Sequence, residues 1–187
     1  MANSDLIESV LDSETASDLL STLLLLDWIS TKDSPRKEYY CSLEEDPKPY
    51  TYGRGRGIRT YYPNPFIPES LKKSWNTLTL GNDLPMCFMN YYTNGLDFLG
   101  WHSDNSELLD DSKPIIIYTL GAEREIWFSP VDNKADVEKL LLTHNSICVM
   151  PAGYQLTHEH RIPKSDKGIL CGPRVSLTFR GTYGPLN

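Results

Sequence analysis

The chain has 187 residues, 40% of them hydrophobic and 23% charged, which suits one cored domain and excludes a disordered or low-complexity protein. Its net charge of −7 lies wholly in the first fifty residues, which hold 4 Lys+Arg against 11 Asp+Glu, while residues 51–187 hold 14 of each. Bulk charge therefore announces no nucleic-acid partner, and any such partner must be met by a local patch.

In chain order, residues 13–29, "SETASDLLSTLLLLDWI", place Leu19, Leu20, Leu23, Leu24 and Trp28 at helical spacing and predict an amphipathic helix. Residues 33–68 are rich in Pro, Gly and Tyr and read as short strands joined by turns. A second short helix is predicted over 68–78, "PESLKKSWNTL", with Pro68 at its start. From Leu84 onward the pattern turns to strands rich in β-branched and aromatic residues: "MCFMNYY", "PIIIYTLG", "REIWF", "SICVMP" and "RVSLTFR". The expected fold class is mainly β with α, a sandwich or jelly roll with N-terminal helices packed outside.

Cys41, Cys87, Cys148 and Cys171 form no C-x-x-C pair, which argues against a zinc knuckle and gives no disulfide framework. The start "MANSDLIESV" is acidic where a secretory signal is basic, and the apolar run at 23–26 is far too short to span a bilayer. A soluble, intracellular, monomeric protein with no membrane partner is expected, cytoplasmic or, in a eukaryote, nuclear.

Three groups of residues can carry chemistry. In "GWHSD", His102 and Asp104 stand at i and i+2, so on an extended segment both face one way. With a second, distant histidine such a pair makes a two-histidine, one-carboxylate metal site with open positions. The stretch "THEHRIP" offers His158 and His160, again two apart, and local periodicity does not separate them. In "RVSLTFR", Arg174, Ser176, Thr178 and Arg180 share one face and Val175, Leu177 and Phe179 the other. The apolar face belongs against the core, so two arginines sit on an internal strand, where an unpaired charge is costly. Either structural salt bridges or a ligand carboxylate, gripped bidentately, must meet them. In "MNYYTNG", Asn90 and Tyr92 share a face and supply neutral donors suited to carboxylate oxygens.

Taken in order, "NYY", "GWHSD", "PIIIYTLGAEREIWF", "SICVMPAGYQ", "HRIP" and "RVSLTFR" resemble the AlkB-type Fe(II)/2-oxoglutarate-dependent dioxygenases, most clearly over 80–187 and more loosely back to residue 35. The resemblance implies a double-stranded β-helix in a single domain over 1–187. Within it, 1–32 would be a helical segment, 33–79 a substrate lid with a connecting helix, and 80–187 the catalytic core. It implies that His102, Asp104 and His160 bind Fe(II), with "HRIP" as the ligand context and His158 a neighbour at the rim. It further implies that Asn90, Tyr92, Arg174, Ser176 and Arg180 hold 2-oxoglutarate, with O2 as the oxidant. The implied reaction is oxidative demethylation of alkylated bases in DNA or RNA, releasing formaldehyde, succinate and CO2.

"PYTYGRG" looks like the family's lid, and residues 39–66 hold Tyr39, Tyr40, Tyr50, Tyr52, Tyr61, Tyr62 and Phe66 among Arg54, Arg56 and Arg59. Aromatics stack on bases and arginines meet phosphates, a pairing suited to single strands or flipped nucleotides. The plainer role of these tyrosines is to pack a hairpin layer against the core. Tyr50, Tyr52, Arg54 and Arg56 are the candidate substrate contacts. Glu107 joins them as a substitute for the acidic residues that repair members place after the His-x-Asp pair, where this chain has Asn105 and Ser106. Two other readings remain open: the same iron chemistry hydroxylating a normal base or a protein, and a jelly-roll binding module without turnover.

Overall fold

A computed structural model describes residues 5–31, 34–53, 58–104 and 106–183. Its elements, in chain order, are β1 (Asp5–Glu8), α1 (Ser13–Leu24), β2 (Lys37–Ser42), β3 (Tyr50–Tyr52), β4 (Arg59–Tyr61), α2 (Glu69–Leu78) and β5 (Met86–Tyr92). There follow β6 (Leu99–His102), β7 (Ile115–Gly121), β8 (Arg124–Pro130), β9 (Glu138–Leu142), β10 (Ser146–Met150), α3 (Tyr154–Thr157), β11 (His158–Ile162) and β12 (Arg174–Arg180). No described helix is long and apolar enough to cross a membrane.

The helix α1 starts where the Asp12 carboxylate accepts the Thr15 backbone N–H at 2.9 Å, an N-cap. It stops short of the expected residue 29 because Trp28 leaves the helical path. The Trp28 indole N–H donates to the Leu23 carbonyl at 3.0 Å, and its ring packs against Tyr39 and Tyr91. Leu25 is consequently 87% exposed. The second helix matches its expected span, with Pro68 as the N-cap residue.

The strands build two antiparallel sheets and a hairpin. The major sheet runs β1-β10-β7-β12-β5-β2, the minor sheet β6-β11-β8-β9, and β3 pairs with β4. This is the jelly-roll arrangement expected from the sequence, with helices on one outer face.

The alternation of β12 gives it two buried faces. Val175, Leu177 and Phe179 lie under the helices with Leu19, Leu23, Leu71 and Trp75, Phe179 meeting the Trp75 ring edge-on at 5.0 Å. Arg174, Ser176, Thr178 and Arg180 turn the other way and line an inter-sheet cavity. Around that cavity Ile117, Ile126, Phe128, Met150 and Ile162 make a second apolar cluster, and Tyr40, Tyr50, Tyr61 and Phe88 a third. Gly121 closes β7 at φ +91°, where a Cβ would lie 2.3 Å from the Pro173 carbonyl oxygen. Only glycine lets the chain approach the start of β12 so closely.

The minor sheet's outer face carries a row of alternating rings and cations, one residue from each strand. The Arg161 guanidinium lies 4.9 Å from the Trp101 ring and 4.1 Å from the Trp127 ring, and the Lys139 ammonium lies 4.1 Å from Trp127 on the next strand. Those side chains cover indole surface that no described helix covers.

Two leucines on neighbouring turns test the layer that backs β12. Leu19→Ala should cost about 2–5 kcal/mol in denaturant unfolding, since Leu19 is fully buried, whereas Leu25→Ala should stay within about 0.5 kcal/mol of the parent. Equal losses would show that α1 does not dock through that face.

Candidate active site

Antiparallel pairing brings distant residues together. His102 ends β6 and His160 sits in the middle of β11, and the register sets them directly opposite each other. Their rings lie 4.2 Å apart. Asp104 follows His102 by two residues, and its Oδ1 is 3.5 Å from His102 Nε2. One ligand atom from each of the three residues falls within 4.8 Å of the others, so a single metal ion can be shared among them.

The surroundings prepare each donor. His102 Nδ1 lies 2.9 Å from the Gly100 carbonyl oxygen, which can only accept, so Nδ1 carries the proton and Nε2 is left as the donor atom. Burial, with the adjacent His102, pushes the His160 imidazole down to a pKa of about 3 and keeps it neutral. Burial alone would raise the Asp104 carboxyl, but the Arg180 guanidinium and the His102 contact hold it well below the usual carboxylate range. Arg180 Nε and Nη2 both donate to Asp104 Oδ2, at 3.2 and 2.6 Å. The Asp104 backbone N–H donates to Gln155 Oε1 at 2.8 Å, which ties the loop to α3.

Asn90, Tyr92, Arg174, Ser176 and Arg180 line the same cavity as the three ligand candidates. The β5–β12 register pairs Asn90 with Ser176 and Tyr92 with Arg174. The two arginines of β12 meet different partners. Arg180 forms an ion pair with Asp104, with its Nη1 left without a partner among the described residues. Arg174, 1% exposed, donates Nη2 to Thr119 Oγ1 at 3.0 Å and lies over the Tyr92 ring, while its Nε and Nη1 have no partner among the described residues. No carboxylate pairs with Arg174 among the described residues. Burial lowers its pKa to about 10, so it keeps its charge at neutral pH. An uncompensated buried cation of this kind fits a ligand carboxylate.

The remaining candidates fall in varied places. His158 is not part of the cluster: its ring stacks on Tyr154 at 4.1 Å and its Nδ1 lies 2.8 Å from Thr157 Oγ1. His144 Nδ1 accepts the Gly121 backbone N–H at 2.9 Å, a turn contact. Tyr39, Tyr40, Tyr50 and Tyr61 are buried packing residues, and Tyr62 is 73% exposed. Tyr50 and Tyr52 stack on each other at 5.6 Å and both line the cavity. Arg54 and Arg56 lie outside the described residues. Glu107 is exposed in the turn after Asp104 and lines neither the cavity nor the adjoining groove. That groove, of about 530 Å³, opens beside His102 and is bordered by Arg36, Tyr52, Arg59 and Trp101.

Arg36 and Glu38 are the residues that the sequence reading missed. Both are buried polar groups, Arg36 in the bend just before β2 and Glu38 within it, and they join Asn90 to the hairpin. The period-2 argument that singled out Arg174 and Arg180 applies equally to "RKEYY", where Arg36, Glu38 and Tyr40 share a face.

Residues 5–180 match the family model of the 2OG-Fe(II) oxygenase superfamily, and the chain belongs to that family. It is similar to human alpha-ketoglutarate-dependent dioxygenase alkB homolog 3, with 32% identity over 145 residues covering 72% of this chain and 49% of that protein. It is also similar to human DNA oxidative demethylase ALKBH2, with 30% identity over 130 residues covering 65% of this chain and 49% of that protein. The chain thus spans about half the length of the curated relatives it matches. The solved structure of OsALKBH1 superposes with a TM-score of 0.60 at 18% identity, covering 96% of this chain and 98% of that one, and shares its fold. Within the superfamily the chain is of the AlkB type. Iron(II), 2-oxoglutarate and O2 are the cofactor set that this membership implies, and the donor set and the unpartnered Arg174 fit it.

Two stability measurements test the electrostatics. In chelator-treated protein, unfolding free energy should fall as pH drops from about 6.5 toward about 3, because the unfolded chain takes up the His160 proton in that window and the folded chain does not. Asp104, whose folded pKa is depressed, should add a further loss below its ordinary value of 3.8. His160→Gln should flatten the first segment of the urea-derived profile, and an unchanged slope would show that His160 is not held neutral.

At neutral pH, Arg180→Met should cost about 3–5 kcal/mol by stranding Asp104, whereas Arg174→Met, which strands no anion among the described residues, should cost nothing or stabilise. Equal losses for both would give Arg174 a structural partner.

Proposed function

We propose that this chain is an Fe(II)/2-oxoglutarate-dependent dioxygenase that removes alkyl groups from nucleic-acid bases. The observation that carries the reading is the pairing, in one cavity, of a His–Asp–His cluster with a buried arginine that has no anionic partner among the described residues. His102, Asp104 and His160 would hold the iron; Arg174, Asn90, Tyr92 and Ser176 would hold the co-substrate dicarboxylate. When bound, the iron and 2-oxoglutarate supply the oxidation of a substrate C–H with O2, and on an N-methyl group this releases formaldehyde, with succinate and CO2 from the co-substrate.

The chain's own residues do the positioning. Arg180 keeps Asp104 anionic and turned toward the histidines, and the Gly100 carbonyl holds the His102 ring by its Nδ1, with Nε2 on the side of Asp104. Thr119 and the Tyr92 ring orient the Arg174 guanidinium. The apolar cluster around Ile117, Ile126 and Ile162 limits water beside it. The groove at His102 lies in the volume range of small-ligand sites, and its phenol, indole and guanidinium groups suit a nucleobase with an adjoining phosphate.

One observation favours a second reading, the same chemistry on an uncharged base. No carboxylate lines the groove among the described residues to meet a cationic lesion.

Formaldehyde release should be measured on single-stranded DNA, duplex DNA and RNA, each carrying either a cationic N-alkylated base or a neutral N-methylated one. Release from at least one is expected, to be abolished by His160→Ala with loss of iron, while His158→Ala keeps its iron. No release from any of these substrates would move the activity to another substrate class, and iron retention by His160→Ala would overturn the ligand assignment.

A further inference from the structure

Asn90 lines the cavity, and its amide has two chemically opposite ends. The Arg36 Nε–H donates to Asn90 Oδ1 at 2.6 Å. A guanidinium cannot accept, so this contact fixes the amide oxygen toward Arg36 and leaves the NH2 end free for a carboxylate in the cavity. Without Arg36 the amide can turn over and offer that carboxylate an acceptor.

Arg36 is itself held from the hairpin side. Its Nη2 donates to the Tyr52 hydroxyl at 2.5 Å and lies 2.9 Å from Glu38 Oε1. Glu38 is fully buried and stands opposite Asn90 in the β2–β5 register, yet it does not line the cavity. It accepts the Tyr52 hydroxyl at 2.8 Å and the Tyr61 hydroxyl, and the Arg59 guanidinium lies 3.5 Å away. Tyr52, Arg59 and Tyr61 all belong to the β3–β4 hairpin. A continuous chain of charged and hydroxyl contacts therefore runs from the hairpin through Glu38 and Arg36 to Asn90.

We propose that Arg36 and Glu38 are positioning residues that couple the β3–β4 hairpin to the co-substrate pocket. Docking of the hairpin sets the Asn90 amide for a dicarboxylate, and the bound dicarboxylate holds the hairpin down in return, as linkage requires. A carboxylate serving the hairpin alone would need only the two phenols and Arg59; the Arg36 fork extends the same network into the pocket. The inference rests on the 2-oxoglutarate reading of that pocket.

The test titrates 2-oxoglutarate into Mn(II)-loaded protein calorimetrically under argon. Amide hydrogen exchange at Tyr50–Tyr52 and Arg59–Tyr61 is followed with and without the ligand. The parent should bind, and exchange in both strands should slow on binding. Arg36→Lys keeps a charge beside Glu38 but loses the fork. It should weaken binding about tenfold and remove the ligand-dependent slowing, and Glu38→Gln should act alike. In an Asn90→Ala background, Arg36→Lys should cost nothing further. Tyr61→Phe, which deletes one hydroxyl, covers the case in which either variant fails to fold, and should shift both readouts the same way. Unchanged affinity and unchanged slowing in the folded variants would overturn the coupling while leaving the pocket reading intact. Failure of the parent to bind 2-oxoglutarate would overturn both.

Discussion

The Asp104–Arg180 ion pair is sealed between the two sheets, and the site depends on it. Asp104 stands in the loop that leaves β6 of the minor sheet, and Arg180 ends β12 of the major sheet. A carboxylate buried there alone would protonate and cease to be an anionic donor. The guanidinium prevents this and takes one oxygen of the pair, which leaves Oδ1 on the side of His102. One contact therefore sets the charge of the donor set, the direction of its carboxylate and the approach of the two sheets.

The same low-dielectric space makes Arg174 informative. Two cations on one strand would be expected to need two anions, and the described residues supply one. The Arg174 and Arg124 guanidinium groups both lie over the Tyr92 ring, at 5.1 and 5.4 Å from its centre. Arg124 is satisfied by the carbonyls of Asn94, Asp97 and Pro163, so it has little left to offer a ligand. Arg174 keeps two nitrogens without a partner among the described residues. The cavity is thus charged at one place by design of its hydrogen bonds rather than by a surplus of basic residues.

Much of the frame was legible in the sequence because it is written in local periodicity. The strands at 86–92 and 174–180 coincide with their expected runs, and β12 has the two-faced character its alternation implied. What escaped was set by contacts distant in sequence. Trp28 reads as a helical position, but its ring is drawn to Tyr39 and Tyr91, which ends α1 early. "LGWH" at 99–102 has no clean alternation; it is a strand because β11 pairs with it. His158 and His160 are indistinguishable by period; the "HRIP" resemblance singled out His160, and the pairing with β6, with the stacking of His158 on Tyr154, gives the physical reason. Arg36 and Glu38 were legible in principle from the alternation of "RKEYY", but their partners, Asn90 and the hairpin tyrosines, lie far off in sequence.

The strand order has a consequence for how the site comes into being. The strand that carries both arginines lies at the centre of the major sheet, between β7 and β5, yet it is the last described strand in the chain. Until it arrives, β5 and β7 present open edges, and β1 waits for a partner more than a hundred residues downstream. As a ribosome extends the chain, therefore, the minor sheet that carries both histidines is complete before β12 is made, and the counter-charge from Arg180 and the Arg174 wall of the cavity arrive last. Such non-local pairing is slow, and the exposed edges are prone to aggregate meanwhile. The central strand that makes the cavity possible also makes an incompletely folded chain the vulnerable state of this protein.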